Sequence, residues 1–156
     1  MMKKTVKLYN VMMPIWLMLL YPTYLWLLIL PVNFLIDSLV VAITAKVRRI
    51  EATRRVWQAS ILWVWIFGFI SDFVGAGLTL LMELLFGSCL SLDTMHFPGL
   101  TLISIPGVLL AGGLIYVFNR YVSFRRCELG VEDVKALALT LAIATAPYTM
   151  LIPILL

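Results

Sequence analysis

A chain of 156 residues in which 63% of the residues are hydrophobic and only 13% are charged cannot fold as a water-soluble domain. Soluble domains carry about 45–50% apolar and about 25% charged residues, and a small domain buries only about two-thirds of its surface. The mean hydropathy of +1.04 therefore predicts an all-α, polytopic bundle of transmembrane helices, with residues 1–156 forming a single domain.

The first apolar stretch covers residues 8–45 and contains one charged residue. A transmembrane helix needs about 20 apolar residues, with a range of about 17–25. Because the stretch is too long for one span, the sequence predicts two spans, 8–21 and 24–45. A turn at Pro22 would join them, and a turn at Pro31 is the alternative, since proline breaks a helical hydrogen-bond ladder.

Three later stretches are also long enough to cross a membrane, at residues 60–86, 100–118 and 136–156. With five spans, all 12 Lys and Arg residues fall on one side of the membrane, in residues 1–7, 46–59 and 119–135. Lys and Arg in short loops stay on the cytoplasmic side. The sequence therefore predicts five transmembrane helices, a cytoplasmic N-terminus and an outside C-terminus.

The basic residues that flank the spans are expected to contact anionic lipid headgroups, which attract each Lys or Arg by about 1 kcal/mol. Ordinary topology-setting charge is the simpler interpretation, and a specific lipid or nucleotide site is the alternative. Nucleic-acid binding is not indicated, because lipid explains the net charge of +4. The predicted lipid contacts are Lys46, Arg48, Arg49, Arg54, Arg55, Arg125 and Arg126. Residues 46–59 are expected to be helical, as an extension of the 24–45 span or as an interfacial helix.

Two predicted spans carry polar residues at helical spacing. In span 24–45, the offsets between the polar residues are four and seven, so they share one face. In span 60–86, small and polar residues also share a face, and small residues let helices approach closely. The predicted ion or partner-helix contacts are Asn33, Asp37, Thr44, Asp72, Thr79 and Glu83. The predicted helix-packing residues are Gly68, Gly75 and Ala76.

The intramembrane acids Asp37, Asp72 and Glu83 have no Lys, Arg or His within the predicted spans to neutralise them. A charge at the centre of a bilayer costs at least about 2.5–3.5 kcal/mol. Three interpretations follow. The acids are protonated or locally hydrogen-bonded and hold helices together, they pair with groups of another membrane subunit, or they line a route for protons or cations.

Catalytic and metal-binding motifs are not found in the sequence. His96 is the single histidine, and its spacing from Cys89 and Asp93 does not match a zinc site. No metal, no cofactor and no enzymatic activity are therefore predicted. Cys89 and Cys127 are expected on opposite sides of the membrane, so they cannot form an intrachain disulfide.

The sequence favours a non-enzymatic subunit of a larger membrane complex concerned with transport or export. The alternative is a small homo-oligomeric channel or carrier that uses Asp37 and Asp72 to move an ion or proton. The expected partners are membrane lipids and either another membrane protein or a second copy of the chain. The short basic start and the small loops suggest a multi-pass protein of the bacterial inner membrane.

Overall fold

The computed structural model describes Tyr24 and residues 26–86 and 99–151 of the chain, and these residues form helices joined by turns. The α-helices are α1 (Trp26–Val47), α2 (Thr53–Phe86), α3 (Gly99–Phe118) and α4 (Val131–Ala144). A π-helical turn, Asn119–Ser123, extends α3, and a 3-10 turn, Tyr148–Leu151, follows α4.

Four helical segments in the described part are long and apolar enough to cross a membrane: Trp26–Val47, Thr53–Phe86, Leu102–Ser123 and Val131–Leu151. The prediction of an all-α membrane bundle is therefore confirmed. The predicted span 8–21 lies outside the described residues. For this reason the total of five spans and the positions of the two termini stay predictions.

The loop between α1 and α2 corrects the interpretation of the basic segment. Residues 53–59 are helical, but they begin α2, and α1 does not extend into them. α1 ends because Arg49 adopts a left-handed conformation, with φ of 56°. The amide of Ile50 donates to the carbonyl of Ala45 at 2.9 Å, and the amide of Arg49 donates to that of Lys46 at 3.1 Å. This is a Schellman C-cap, which satisfies the last carbonyls of the helix.

We expect Arg49→Gly to raise the free energy of unfolding by about 0.5–1 kcal/mol. A side chain in the left-handed region costs about 1–2 kcal/mol, and the extra freedom of glycine in the unfolded chain removes part of this gain. Thermal unfolding in detergent micelles measures the effect. Arg49→Ala is the control, because it removes the charge but keeps the Cβ atom. If both variants gain equally, charge and not backbone strain is responsible.

Helices α2 and α3 cross with almost no space between them at Gly75 and Gly107. A Cβ atom on Gly75 would lie 2.6 Å from the carbonyl oxygen of Gly107 and 2.9 Å from the Cβ of Ala111. A Cβ atom on Gly107 would collide with the hydroxyl of Thr79. Apolar helices attract one another weakly in lipid, so close backbone contact of this kind provides much of the packing energy.

The basic loops meet at one end of the bundle. Arg48, just after α1, forms an ion pair of 2.8 Å with Asp133 in the first turn of α4. Next to this pair, side chains from all four helices and from the loop after α3 form the main apolar core: Val41, Val56, Val64, Ile115, Phe124, Leu137 and Leu141. Residues 46–55 and 125–135 therefore lie at the same end, which is called the basic end below.

Helix α4 differs from the predicted span 136–156. It begins at Val131, after the N-cap Gly130, and Glu132 and Asp133 lie in its first turn, where the helix dipole favours acids. It ends at Ala144, whereas the predicted span continued to residue 156. Proline, here Pro147, has no amide hydrogen and clashes with the preceding turn, so the helix stops before it.

Candidate functional site

A cavity of about 370 Å³ lies among α1, α2 and residues 144–150, which comprise the last residue of α4 and the segment after it. α1 contributes a face that includes Asn33 and Asp37, and α2 contributes a face that includes Gly68 and Asp72. Because residues 144–150 start at the C-terminal end of α4, the cavity lies in the half of the bundle away from the basic end.

The two aspartates of the cavity come from adjacent helices and are almost fully buried. Asp37 is 6% exposed and Asp72 is 9% exposed. A Cβ atom on Gly68, one helical turn before Asp72, would lie 3.8 Å from the Oδ2 atom of Asp37. This distance is an ordinary van der Waals contact, so the carboxyl group of Asp37 lies against α2 at Gly68. The two carboxyl groups are close enough to interact electrostatically.

In the part of the chain that the structure describes, the carboxyl groups have no base beside them. No Lys, Arg or His is among the described residues that line the cavity. The Oδ1 atom of Asp72 is buried and has no hydrogen-bond partner within the described part of the chain. A buried polar atom without a partner costs about 1–3 kcal/mol, and more if it is charged. The carboxyl group of Asp72, which lines the cavity, is therefore suited to bind a proton or another cation.

The third wall of the cavity is irregular backbone. Pro147 offers no amide hydrogen, so the carbonyl of Ile143 lacks its helical donor and accepts instead from the hydroxyl of Tyr148 at 2.7 Å. The amide of Tyr148 donates a hydrogen bond to the carbonyl of Ala146, two residues earlier, at 2.7 Å. Thr145 donates its hydroxyl to the carbonyl of Leu141 at 2.8 Å, which leaves the lone pairs of the hydroxyl available.

The length of α4 explains why this backbone must face a polar space. Its 14 residues extend about 21 Å. The hydrocarbon core of a bilayer is about 30 Å thick. Irregular backbone at membrane depth occurs where it is buried in protein or lines a water-filled space, because lipid cannot hydrogen-bond to it. Residues 145–147 meet this condition by lining the cavity.

Aromatic side chains form the wall between α1 and α2. Trp65 donates its indole N–H to the carbonyl of Leu30 on α1 at 3.2 Å. Its ring is perpendicular to that of Phe69, with centroids 5.5 Å apart, and to that of Phe34, with centroids 6.1 Å apart. Trp26 stacks on Phe69 at 6.2 Å. Trp65 and Phe69 also line the cavity, so this part of its wall is held in place by both helices.

The structure brings together three of the six polar residues proposed as ion or partner contacts: Asn33, Asp37 and Asp72. Thr44 is buried outside the cavity lining. Thr79 donates to the carbonyl of Gly75 at 3.1 Å and lies against α3. Glu83 is half-buried, eleven residues beyond Asp72 on the same helix, and does not line the cavity.

The proposed packing residues occupy two different surroundings. Gly68 faces Asp37, whereas Gly75 faces α3. Ala76 is fully buried in a second apolar cluster with Val108 and Met150. The small-residue face of α2 thus serves both the polar cavity and the contact with α3.

The basic residues proposed to contact lipid are exposed around the basic end: Lys46, Arg48, Arg49, Arg54, Arg55, Arg125 and Arg126. Arg48 also takes part in the ion pair with Asp133. Their contact with anionic lipid stays a prediction.

Other chemically reactive groups in the described residues do not form a second site. Burial raises the pKa of the Cys127 thiol, which keeps it protonated and unreactive at neutral pH. No group of three metal-ligating side chains occurs in residues 24, 26–86 and 99–151. Cys89, Asp93 and His96 lie outside the described residues.

Sequence reasoning missed the aromatic wall and the irregular third wall. The spacing of four between Trp65 and Phe69 places them on one face of α2, adjacent to the polar face. The sequence TAPYT at residues 145–149 was the available signal for the second feature, since proline beside hydroxyl residues is typical of a helix end.

Searches with the whole sequence and structure find no match among protein-family models, curated proteins or solved structures. A proposed function for this chain therefore rests on the chemistry of the cavity.

Proposed function

We propose that this chain is a small membrane carrier that binds a cation at Asp37 and Asp72 and exchanges it for a proton. The observation that carries the proposal is the convergence of two buried, base-free carboxyl groups on one cavity beside a broken helix. A carboxyl group in such a place must take up a proton or bind another cation, because its bare charge is too costly. The proton and the cation compete for the same oxygen atoms, which makes exchange the natural outcome.

The position of the carboxyl groups inside the bundle, and not on its outer surface, favours a carrier over a subunit of a larger complex. Acids that meet a partner's helix are expected on the outer surface of the bundle. Asp37 and Asp72 instead face a cavity formed by their own chain and are at least nine-tenths buried. Intramembrane acids that face a cavity commonly mark ion or proton pathways. The partner-helix hypothesis would gain support if a purified complex lost its second subunit on mutation of these acids.

In this proposal the chain crosses the inner membrane of a bacterium five times, with its N-terminus in the cytoplasm. The position of the basic loops at one end of the bundle supports this topology, since bases of short loops collect on the cytoplasmic side. The exposed apolar side chains of α1, which include Leu35 and Leu39, suit contact with lipid or with a second copy of the chain.

Proteoliposomes with a pH-sensitive dye inside test the carrier. We expect the purified chain to dissipate an imposed pH gradient when Na⁺, K⁺ or a quaternary ammonium ion, which cannot cross the lipid as a free amine, is supplied on the opposite side. The double variant Asp37→Asn, Asp72→Asn should slow this flux by about tenfold or more, since a neutral amide cannot replace a carboxylate as a counter-ion.

The matched control is Glu51→Gln, which removes one acid from the exposed loop at the basic end. This variant should retain the flux of the wild-type chain. A double aspartate variant that is folded and transports at the wild-type rate contradicts the proposal.

A further inference from the structure

We propose that the cation of this site is a small organic ammonium or related organic cation and not a bare metal ion. The inference rests on the carrier proposed above and specifies its substrate class. It depends on three features of the cavity, namely its size, its aromatic wall and its unbalanced negative charge.

The size of the cavity is the first argument. Its volume is about 370 Å³, whereas one water molecule occupies about 30 Å³ in the liquid. A bare ion requires several oxygen ligands gathered at about 2.0–2.6 Å. Small-molecule sites have volumes of about 300–1,000 Å³. The cavity is therefore in the range of an organic ligand, and an alkali ion would fill only a small part of it.

The composition of the walls is the second argument. Besides the two acids, the lining contains Asn33, Thr145 and Thr149, and the rest is largely apolar and aromatic. The apolar and aromatic members include Ile29, Ile36, Trp65, Phe69 and Met150. These side chains offer a metal ion no ligands, but they match the carbon groups of an organic cation. Aromatic faces attract alkylated ammonium groups through the ring quadrupole, by about 0.5–2 kcal/mol each.

The orientation of Trp65 is consistent with this use. Its indole N–H, the one hydrogen-bond donor of the side chain, is already occupied by the carbonyl of Leu30. Trp65 therefore has no free donor for a ligand, and its contribution to the cavity wall is its aromatic ring. The ring of Phe69, which is perpendicular to that of Trp65, also lines the cavity.

The charge of the cavity is the third argument. Two carboxyl groups face it, and the described lining contains no base. Ionised carboxyl groups repel anionic ligands and attract cationic ones. A ligand with two positive charges would neutralise both carboxylates, and a ligand with one would neutralise the site if one carboxyl group keeps its proton.

Calorimetric titration of the purified chain in detergent tests the inference, with benzyltrimethylammonium chloride as the organic probe and NaCl and KCl as inorganic probes. We expect saturable binding of benzyltrimethylammonium that excess Na⁺ does not displace. Asp72→Asn should weaken this binding by about tenfold or more. Trp65→Leu should weaken it by about fivefold, through loss of the cation–π contact.

Two further variants separate ligand contact from loss of structure. Trp63→Leu removes a tryptophan that stacks on Phe67 and does not line the cavity, so its affinity should equal that of the wild-type chain. Trp65→Phe keeps a ring but loses the hydrogen bond to Leu30, so its affinity should stay within about twofold of wild type.

The outcomes distinguish this inference from the carrier proposal. Asp72-dependent binding of Na⁺ or K⁺ without binding of benzyltrimethylammonium would overturn the organic-cation assignment and leave the carrier proposal standing. If none of the three cations binds and no cation-driven proton flux occurs, both proposals fail. Equal binding by Trp65→Leu and the wild-type chain would also overturn the assignment, because the aromatic wall would then have no role.

Discussion

Gly107→Val is expected to force α2 and α3 apart and to lower the free energy of unfolding by about 3 kcal/mol or more. Overpacking a tight site costs about 1–3 kcal/mol where neighbouring side chains can move. At this crossing the obstacles are the backbone carbonyl of Gly75, 2.6 Å from the new Cβ atom, and the hydroxyl of Thr79. Backbone cannot move aside as a flexible side chain can, so the helices themselves must separate.

Thermal unfolding in micelles, followed by circular dichroism, measures this effect, and the chain provides matched controls on both helices. A Cβ atom on Gly77 of α2 or on Gly113 of α3 meets nothing within 4 Å. Gly77→Val and Gly113→Val should therefore leave the melting temperature nearly unchanged. If they destabilise the fold as much as Gly107→Val, the cause is the helix propensity of valine and not the crossing.

Asp72→Leu is expected to raise the stability of the protein while it abolishes cation-dependent flux. An acid at the centre of a transmembrane helix costs about 3 kcal/mol on insertion scales, and no partner in the described residues compensates for Asp72 Oδ1. Replacement by an apolar side chain should therefore increase the free energy of unfolding by about 2 kcal/mol. Residues that are retained for function at the expense of stability show this combination.

Chemical unfolding in mixed micelles and the proteoliposome flux assay, applied to the same preparation, check both parts of this prediction. Ser71→Ala is the control, because Ser71 is fully buried but donates to the carbonyl of Phe67 at 2.7 Å. Loss of that satisfied hydroxyl should give no gain in stability. A clear loss of stability in Asp72→Leu would mean that the carboxyl group holds the helices together, which was the first interpretation of the acids from the sequence.

The apolar spans could be predicted from the sequence, because the thickness of a bilayer sets a minimum length for each of them. The helical period also predicted which residues share a face with Asp37 on α1 and which share a face with Asp72 on α2. The period does not say which neighbouring helix a face contacts at each position along its length. Asp72 and Thr79 are two turns apart on one face of α2, yet Asp72 meets the cavity beside α1 and Thr79 meets Gly107 of α3.

The end of α4 could not be predicted with the same certainty. Proline within a membrane helix either bends it or ends it, and the outcome depends on what satisfies the released carbonyls. Here the hydroxyl of Tyr148 reaches the carbonyl of Ile143, and the chain turns back at Ala146. These are tertiary and local contacts that a periodic pattern does not encode. The third wall of the cavity therefore became visible only in the structure.

The length of α2 has an electrical consequence. Its 34 residues extend about 51 Å, well beyond the hydrocarbon core, and Asp72 lies about 18 Å past Ser60, where the apolar part begins. A monovalent ion held at that depth has crossed about half of the transmembrane voltage. Since a full crossing at 100 mV is equivalent to about 2.3 kcal/mol, half of it changes the equilibrium occupancy about sevenfold. A proton at the same carboxyl groups has the same electrical energy, so its exchange for a monovalent cation is electrically neutral. The voltage therefore acts only on the net uptake of charge by the site.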